Sequence, residues 1–134
     1  MLIDAAKEAR RRAYAPYSGY AVGAAILGRS GSVYRGCNVE NASYGATICA
    51  ERSAVCSALL AGERVWRAIA VYADGARPPM PCGVCRQMLA EFGLDLLVVA
   101  AGADGKLQVA KLADLLPHAF LADALAPGDG EPGA

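Results

Sequence analysis

The sequence predicts a layered α/β domain. Segments of strand composition alternate with segments of helix composition, which is typical of folds that pack helices on a sheet. Two apolar runs, 68–72 and 94–100, are continuous rather than alternating, as expected for strands that are covered on both faces. With 134 residues, of which 55% are hydrophobic, the chain has the size of one domain with a well-filled core.

Helices are indicated by their apolar spacing and by the residues that end them. Pro16 stops the first helix, and Gly62 and Gly93 lie where the second and third helices should be capped. The predicted helices are 2–13, 49–61, 84–92 and a short one at 111–116.

Strands are predicted where β-type apolar runs lie between turn signals. A turn around 29–31 joins the first two strands, and Asp104-Gly105 precedes the last. Two loops are expected, at 38–46 and 74–81. The predicted strands are 20–27, 32–39, 68–72, 94–100 and 106–110. Together with the helices they form a single predicted domain over 1–125. A flexible tail rich in Pro and Gly is expected over 126–134.

The charge balance argues against a nucleic-acid partner. The formal net charge is zero, whereas proteins that bind long nucleic acids usually carry a basic face. The basic run 10–12 follows Asp4, Lys7 and Glu8 and is interpreted as a solvated helix surface. The same three residues interrupt any signal peptide, and no apolar segment is long enough to span a membrane. A cytoplasmic protein without a membrane partner is therefore expected.

Two short motifs indicate the chemistry. The first is Cys49-Ala50-Glu51-Arg52, and the second is Pro81-Cys82-Gly83-Val84-Cys85. Three cysteine thiolates can hold Zn²⁺ and leave its fourth position open, as catalytic zinc sites do. A glutamate beside that position can move protons for a bound water. We therefore predict a zinc site with Cys49, Cys82 and Cys85 as ligands and Glu51 as the catalytic residue.

The spacing of these residues also predicts the geometry. Cys49 and Glu51 are two residues apart, so along a helix they do not face each other. Both can serve one metal only if it lies beyond the N-terminus of the second helix, and Cys82 and Cys85 lie at the start of the third. Helix N-termini stabilise thiolates. Arg52 is a candidate donor to the thiolates that would offset their negative charge.

Simpler interpretations stay open. Cys37 or Cys56 could complete a structural zinc site with four cysteines. A redox Cys-x-x-Cys would leave Cys49 and Glu51 unexplained. We interpret Cys37 and Cys56 as packing residues, with Cys56 buried, and His118, the single histidine, as a surface or interface residue.

Beyond these motifs, the chain resembles the small, homotetrameric, zinc-dependent cytidine deaminases. The resemblance extends from Tyr14 to Phe120 and is specific because several motifs occur together. These are Ala15-Pro16-Tyr17-Ser18, Val22-Gly23-Ala24-Ala25, the run 36–45 (GCNVENASYG), the run 47–52 (TICAER) and the run 81–87 (PCGVCRQ).

The resemblance implies a fold and an activity. The fold would be a three-layer α/β/α sandwich with a mixed five-stranded sheet. The activity would be hydrolytic deamination of cytidine and deoxycytidine, with release of ammonia, in pyrimidine salvage. The implied assembly is a homotetramer with one Zn²⁺ per subunit and with active sites that neighbouring subunits complete.

The resemblance also implies the residues that contact the nucleoside. Asn38 and Glu40 match residues that hydrogen-bond the ribose hydroxyls. Ala50 and Glu51 match positions that read the pyrimidine edge, through the backbone and the carboxylate respectively.

Three aromatic residues belong to the same implied site. Tyr44 matches a residue that reaches the nucleoside of a neighbouring subunit, and Phe120 matches a C-terminal aromatic that packs over the base. At the position of Tyr20 the family often has Phe, whose ring stacks near the base. Tyrosine keeps the aromatic face and adds a hydroxyl that needs a partner or water.

Three other functions stay open at this point. The first is deamination of another aminopyrimidine such as blasticidin S, although Asn38 and Glu40 favour an ordinary ribose. The second is editing of RNA or DNA, which electroneutrality and the short chain disfavour. The third is a non-enzymatic zinc module, which would have a fourth protein ligand.

Overall fold

The computed structural model describes residues 1–125, so the tail predicted at 126–134 lies outside the described residues. The helices are α1 (Leu2–Arg10), α2 (Ala50–Leu60), α3 (Gly83–Ala90) and α4 (Leu112–Leu115), with 3₁₀ turns at Tyr44–Ala46 and Ala122–Leu125. The strands are β1 (Val22–Gly28), β2 (Val33–Cys37), β3 (Trp66–Ala73), β4 (Leu97–Ala101) and β5 (Leu107–Lys111).

The five strands form one mixed sheet in the order β2-β1-β3-β4-β5. The pair β3–β4 is parallel, and the other three neighbouring pairs are antiparallel. A parallel pair needs a crossover connection, and α3 lies in the segment that joins β3 to β4. The mixed five-stranded sheet that the sequence predicts is confirmed.

Helices cover both faces of this sheet. On one face α1 closes a small cluster with the sheet residues Ala25, Ala70, Tyr72 and Ala101. On the other face α2, α3 and α4 close the larger core, whose fully buried side chains include Ile26, Val55, Ile69, Leu89, Val98 and Leu112. The predicted three-layer α/β/α arrangement is therefore confirmed.

Several boundaries differ from the prediction for identifiable reasons. The first helix ends at Arg10 because the next three residues form i→i−3 turns instead of continuing the α-helix. The fourth strand begins at Leu97, not Leu94, because the carbonyls of Leu94 and Leu96 accept hydrogen bonds from the first residues of α4. The first strand begins at Val22, since the Tyr20 carbonyl binds the side chain of Asn38.

Two side chains contradict their sequence interpretation. Cys56 is exposed, not buried, because α2 turns Ala54, Val55 and Ala58 toward the sheet and leaves Cys56 on the opposite side. Arg10 is more than a solvated residue of the basic run, since its guanidinium forms an ion pair with Asp74.

Helix lengths in the described part of the chain are modest. Within residues 1–125, no helix has the length and apolar character required to cross a bilayer. The longest, α2, has 11 residues, or about 16 Å at the usual rise of an α-helix, whereas the hydrocarbon core is about 30 Å thick.

The sheet and its helices approach closely at two glycines. A β-carbon at Gly23 would lie 2.5 Å from the backbone nitrogen of Arg10 in α1, and one at Gly36 would lie 2.5 Å from the carbonyl oxygen of Ala50 in α2. Both obstacles are backbone atoms, which cannot rotate away. Because Gly36 lies against the first turn of α2, this contact also determines where Cys49 and Glu51 are placed.

Replacing Gly36 by alanine should therefore destabilise the protein. The added methyl group has no space, so we expect Gly36→Ala to lower the free energy of unfolding by about 1–3 kcal/mol, which is usual for overpacking. Urea-induced unfolding of the zinc-loaded protein measures this. Gly45→Ala is the control, because a β-carbon there meets no atom within 4 Å. Equal unfolding curves for the two variants would contradict the close-packing argument.

Candidate metal centre and active site

Three cysteines converge at the N-termini of two helices. Cys49 is the N-cap of α2, Cys82 is the N-cap of α3, and Cys85 lies in the first turn of α3. Their three Sγ atoms all lie within 4.8 Å of one another, and those of Cys82 and Cys85 are 3.7 Å apart. The structure thus brings the predicted ligand set together in the predicted place.

The cluster fits a zinc ion. Four tetrahedral ligands with Zn–S bonds of about 2.3 Å place two sulfurs about 3.8 Å apart, close to the Cys82–Cys85 separation of 3.7 Å. Thiolates are also the soft ligands that zinc accepts. Over residues 1–125, no fourth His, Cys, Asp or Glu side chain joins the group, and Cys37, Cys56 and His118 lie outside it. This donor set matches a catalytic zinc site better than a closed structural one.

The surroundings of the thiols are unequal. Burial disfavours the Cys82 thiolate, but the backbone N–H groups of Cys85 and Val84 and the neighbouring thiols favour it, and the pKa of Cys82 is lowered. Cys85 is fully buried; this burial and the nearby Glu51 and Cys49 raise its pKa far above the ordinary value. A bound divalent cation reverses that balance, because the thiolate is the form that ligates metal.

Arg52 is the cation of this cluster. Its Nη2 donates to the sulfur of Cys49 at 3.8 Å and to the carbonyl oxygen of Thr47 at 3.1 Å. The hydrogen bond to Cys49 raises the pKa of Arg52, so the guanidinium stays charged. Arg52 therefore lies where it can withdraw charge from the Cys49 sulfur.

Glu51 is buried beside the cysteines, with 6% of its surface exposed. This burial raises the pKa of Glu51, while its own backbone N–H, the Cys85 thiol and Arg52 act in the opposite direction. A carboxyl group with a raised pKa can exchange protons closer to neutral pH than an exposed one. Glu51 thus has the burial and the neighbours of an acid–base group.

A cavity of about 250 Å³ opens beside the cysteines. Glu51 and Ala50 line it, together with Cys49, Cys82 and the predicted substrate residues Asn38 and Tyr20. Five further residues line the cavity although the sequence analysis gave them no role: Val22, Thr47, Val71, Pro79 and Met80. Pro79 and Met80 lie immediately before the Pro81-Cys82 motif, which is the signal that could have indicated them.

Asn38 and Tyr20 form one wall of this cavity. The Asn38 side chain accepts from the Val22 N–H at 2.9 Å and donates to the Tyr20 carbonyl at 2.8 Å, which leaves one N–H and one lone pair free. Burial, and after it the charge of Glu51, raises the pKa of Tyr20. The phenol thus stays protonated and adds a hydrogen-bond donor to the wall.

Glu40 lies in a neighbouring cavity of about 380 Å³, which shares Thr47 with the first one. Its carboxylate accepts from the N–H groups of Tyr17 and Ser18 at 2.9 and 3.0 Å and from the Ser18 hydroxyl. The hydrogen bonds from Ser18 lower the pKa of Glu40, so it is a charged acceptor. Asn38 and Glu40 are therefore near each other but not in one pocket.

The two remaining aromatic candidates are exposed. Tyr44 lines the second cavity, packs edge-on against Tyr17 at 6.1 Å between ring centroids, and is 76% exposed. Phe120 is 57% exposed and lines neither cavity. Within one subunit, neither ring reaches the cavity that contains Glu51.

Comparisons with known proteins agree with this geometry. A family model described as "Cytidine and deoxycytidylate deaminase zinc-binding region" matches residues 1–101. A curated cytidine deaminase of Halalkalibacterium halodurans is 51% identical, with 92% of this chain and 94% of that protein aligned. A curated cytidine deaminase of Mycobacterium tuberculosis is 45% identical, with 93% of this chain and 91% of that protein aligned.

Solved structures show the same relationship in three dimensions. The crystal structure of cytidine deaminase from Burkholderia pseudomallei superposes with a TM-score of 0.86 at 52% identity, covering 89% of this chain and 96% of that one. The family match spans 101 of the 134 residues and includes all three cysteines and Glu51. This chain belongs to the cytidine and deoxycytidylate deaminase family.

Proposed function

We propose that this protein is a zinc-dependent enzyme that hydrolyses cytidine and deoxycytidine to uridine and deoxyuridine, with release of ammonia, in pyrimidine salvage. The observation that carries the proposal is that the buried residue Glu51 lines the same cavity as Cys49 and Cys82, two of the three clustered cysteines. A cytoplasmic location fits the five cysteines, all of which are free thiols.

Cys49, Cys82 and Cys85 would hold one Zn²⁺ per subunit. When bound, Zn²⁺ acts as a Lewis acid that makes a water molecule acidic enough to attack near neutral pH. Glu51 would accept a proton from the attacking water and pass it to N3 of the pyrimidine. It would then take the remaining proton of that water from the new C4 hydroxyl and deliver it to the departing amino group, so that the C4 carbonyl forms as ammonia leaves. One water thereby replaces one ammonia at C4, and the carboxylate returns to its starting state.

The cavities suit a nucleoside. Glu51 and the backbone of Ala50 would read the pyrimidine edge, while Tyr20 would stack near the base. Asn38 has one free N–H and one free lone pair for a ribose hydroxyl, and Glu40 offers a charged acceptor from the adjacent cavity. The two cavities are neighbours, because Thr47 lines both.

A homotetramer with shared active sites fits the exposed aromatic residues. Tyr44 and Phe120 expose more than half of their surface although both belong to the proposed substrate site. Val84, on α3 between two of the cysteines, is 62% exposed as well. Apolar surface of this kind around a site is typical of a protein interface. We propose that neighbouring subunits cover it and that Tyr44 and Phe120 reach across to the substrate.

Consumption of cytidine is the direct test. The ultraviolet absorbance of cytidine should fall when it is incubated with the zinc-loaded protein. Replacing the buried carboxyl, as in Glu51→Ala, should reduce kcat by about 10²–10⁴-fold, since proton transfer is lost. The zinc content should stay the same.

Glu8→Gln is the matched control for that experiment, because Glu8 is an exposed residue of α1 outside the cavity. Near-normal turnover by zinc-loaded Glu51→Ala would refute the role of Glu51. No turnover of cytidine by the unaltered protein would instead direct the search to another aminopyrimidine such as blasticidin S.

Arg52 should act through charge. Without its guanidinium the cluster is more negative, which raises the pKa of the attacking water. We therefore expect Arg52→Ala to retain zinc and to have a lower turnover at neutral pH. The acid limb of its pH–kcat profile should move to higher pH. Arg52→Lys should move the profile less, because a cation remains. Superimposable profiles for the unaltered protein and Arg52→Ala would contradict this role.

Shared active sites predict complementation between inactive subunits. Glu51→Ala subunits keep Tyr44, and Tyr44→Ala subunits keep Glu51. If Tyr44 serves a neighbouring site, tetramers assembled from both variants contain some complete sites and regain activity. The measurement compares deaminase activity after co-refolding with that of each variant refolded alone. Activity no greater than the average of the separate variants would place Tyr44 outside the neighbouring site.

A further inference from the structure

We infer that Arg86 and Gln87 are positioning residues that join the metal-binding loop to the segment that presents Phe120. We call residues 115–120 the C-terminal arm. The inference rests on the proposed function, because it assigns to Phe120 a contact with the nucleoside. It concerns two residues of α3 that touch neither of the cavities described above.

Arg86 connects two distant parts of the chain with one side chain. Its Nε donates to the carbonyl oxygen of Pro81 at 2.7 Å, and its Nη1 donates to that of Leu115 at 2.9 Å. Pro81 is fully buried and directly precedes the ligand Cys82. The planar, always-charged guanidinium can hold two carbonyls in a fixed relative position, which a lysine ammonium on its flexible stem cannot do.

Gln87 holds the other end of the arm. Its Nε2 donates to the carbonyl oxygen of Phe120 at 2.6 Å. Between the two anchored carbonyls the chain turns sharply at His118, whose φ of 53° is the one left-handed value of a non-glycine residue within residues 1–125. That conformation is disfavoured for most L-residues, so it persists where surrounding contacts impose it. The hydrogen bonds of Arg86 and Gln87 are such contacts.

The arm has further anchors, and these make the effect local. Leu115 and Leu116 of the arm, and Leu121 directly after it, pack against the main core, so losing one hydrogen bond does not release the whole segment. The Phe120 ring, by contrast, is 57% exposed and is held only weakly by its own packing. Gln87 holds the backbone carbonyl of Phe120 itself. Arg86 holds the beginning of the same arm and, through Pro81, the start of the metal loop.

A double-mutant cycle tests the link between Gln87 and Phe120. We expect Gln87→Ala to raise KM for cytidine several-fold with kcat changed less than about twofold, and Phe120→Ala to raise KM at least as much. If Gln87 acts through Phe120, the double variant has the KM of Phe120→Ala alone, since the effects of coupled residues do not add. Independent, multiplicative effects would overturn the inference. Gln108→Ala on the exposed strand β5 is the control.

Two measurements keep the test independent of catalysis. Chymotrypsin should cut after Phe120 several-fold faster in Gln87→Ala than in the unaltered protein, because the arm loses its anchor. Zinc should pass to a chelator several-fold faster from Arg86→Ala than from the unaltered protein. The release rate of Arg86→Lys should lie between those two rates, and Gln87→Ala should release zinc at the normal rate. Unchanged cleavage in Gln87→Ala, or unchanged release in Arg86→Ala, would overturn the corresponding half of the inference.

The proposed function can fail separately. If the unaltered, zinc-loaded protein does not consume cytidine, that function is wrong, while faster cleavage in Gln87→Ala and faster zinc release in Arg86→Ala still establish the positioning roles. If cytidine is consumed but the variants differ from the unaltered protein in none of these readouts, the function stands and the inference is wrong.

Discussion

Two helices begin at one point in this molecule, and the site depends on that convergence. The N-terminus of an α-helix has unpaired N–H groups and a partial positive charge, both of which favour a thiolate. Cys49 caps α2, and Cys82 caps α3. Because both helices pack on the same face of the sheet, their favourable ends combine at a single cluster of sulfurs.

Packing against the sheet buries Glu51, as the proposed chemistry requires. Strand β3 lies between β1 and β4, and α3 belongs to the crossover of the one parallel pair in the sheet over residues 1–125. Because Gly36 has no side chain, α2 can pack directly onto β1 and β2, and Glu51 in its first turn is buried. Burial is what changes the proton affinity of Glu51, so the packing of a strand and a helix determines an acid–base property.

The sequence could predict the features that follow local rules. The convergence of Cys49, Cys82 and Cys85 follows from spacing and helix-start signals, and the mixed five-stranded sheet follows from the family resemblance. Features that depend on tertiary contacts were inaccessible: Leu94 leaves the strand because its carbonyl binds α4, and Cys56 faces outward because three neighbours of α2 take the sheet side. Likewise, no motif could place Glu40 and Asn38 in separate cavities, since loop packing decides that.

The layers that enclose this site are filled with small side chains. The fully buried positions include Ala24, Ala25 and Ala70 in the sheet and Ala50, Ala54 and Ala58 in α2. Alanine has little volume to lose, so truncation opens only small cavities, whereas each added methylene must displace backbone that already lies in contact. During sequence divergence such a core tolerates shrinkage better than growth. Substitution at these positions is thus limited by the distance between layers more than by hydrophobicity.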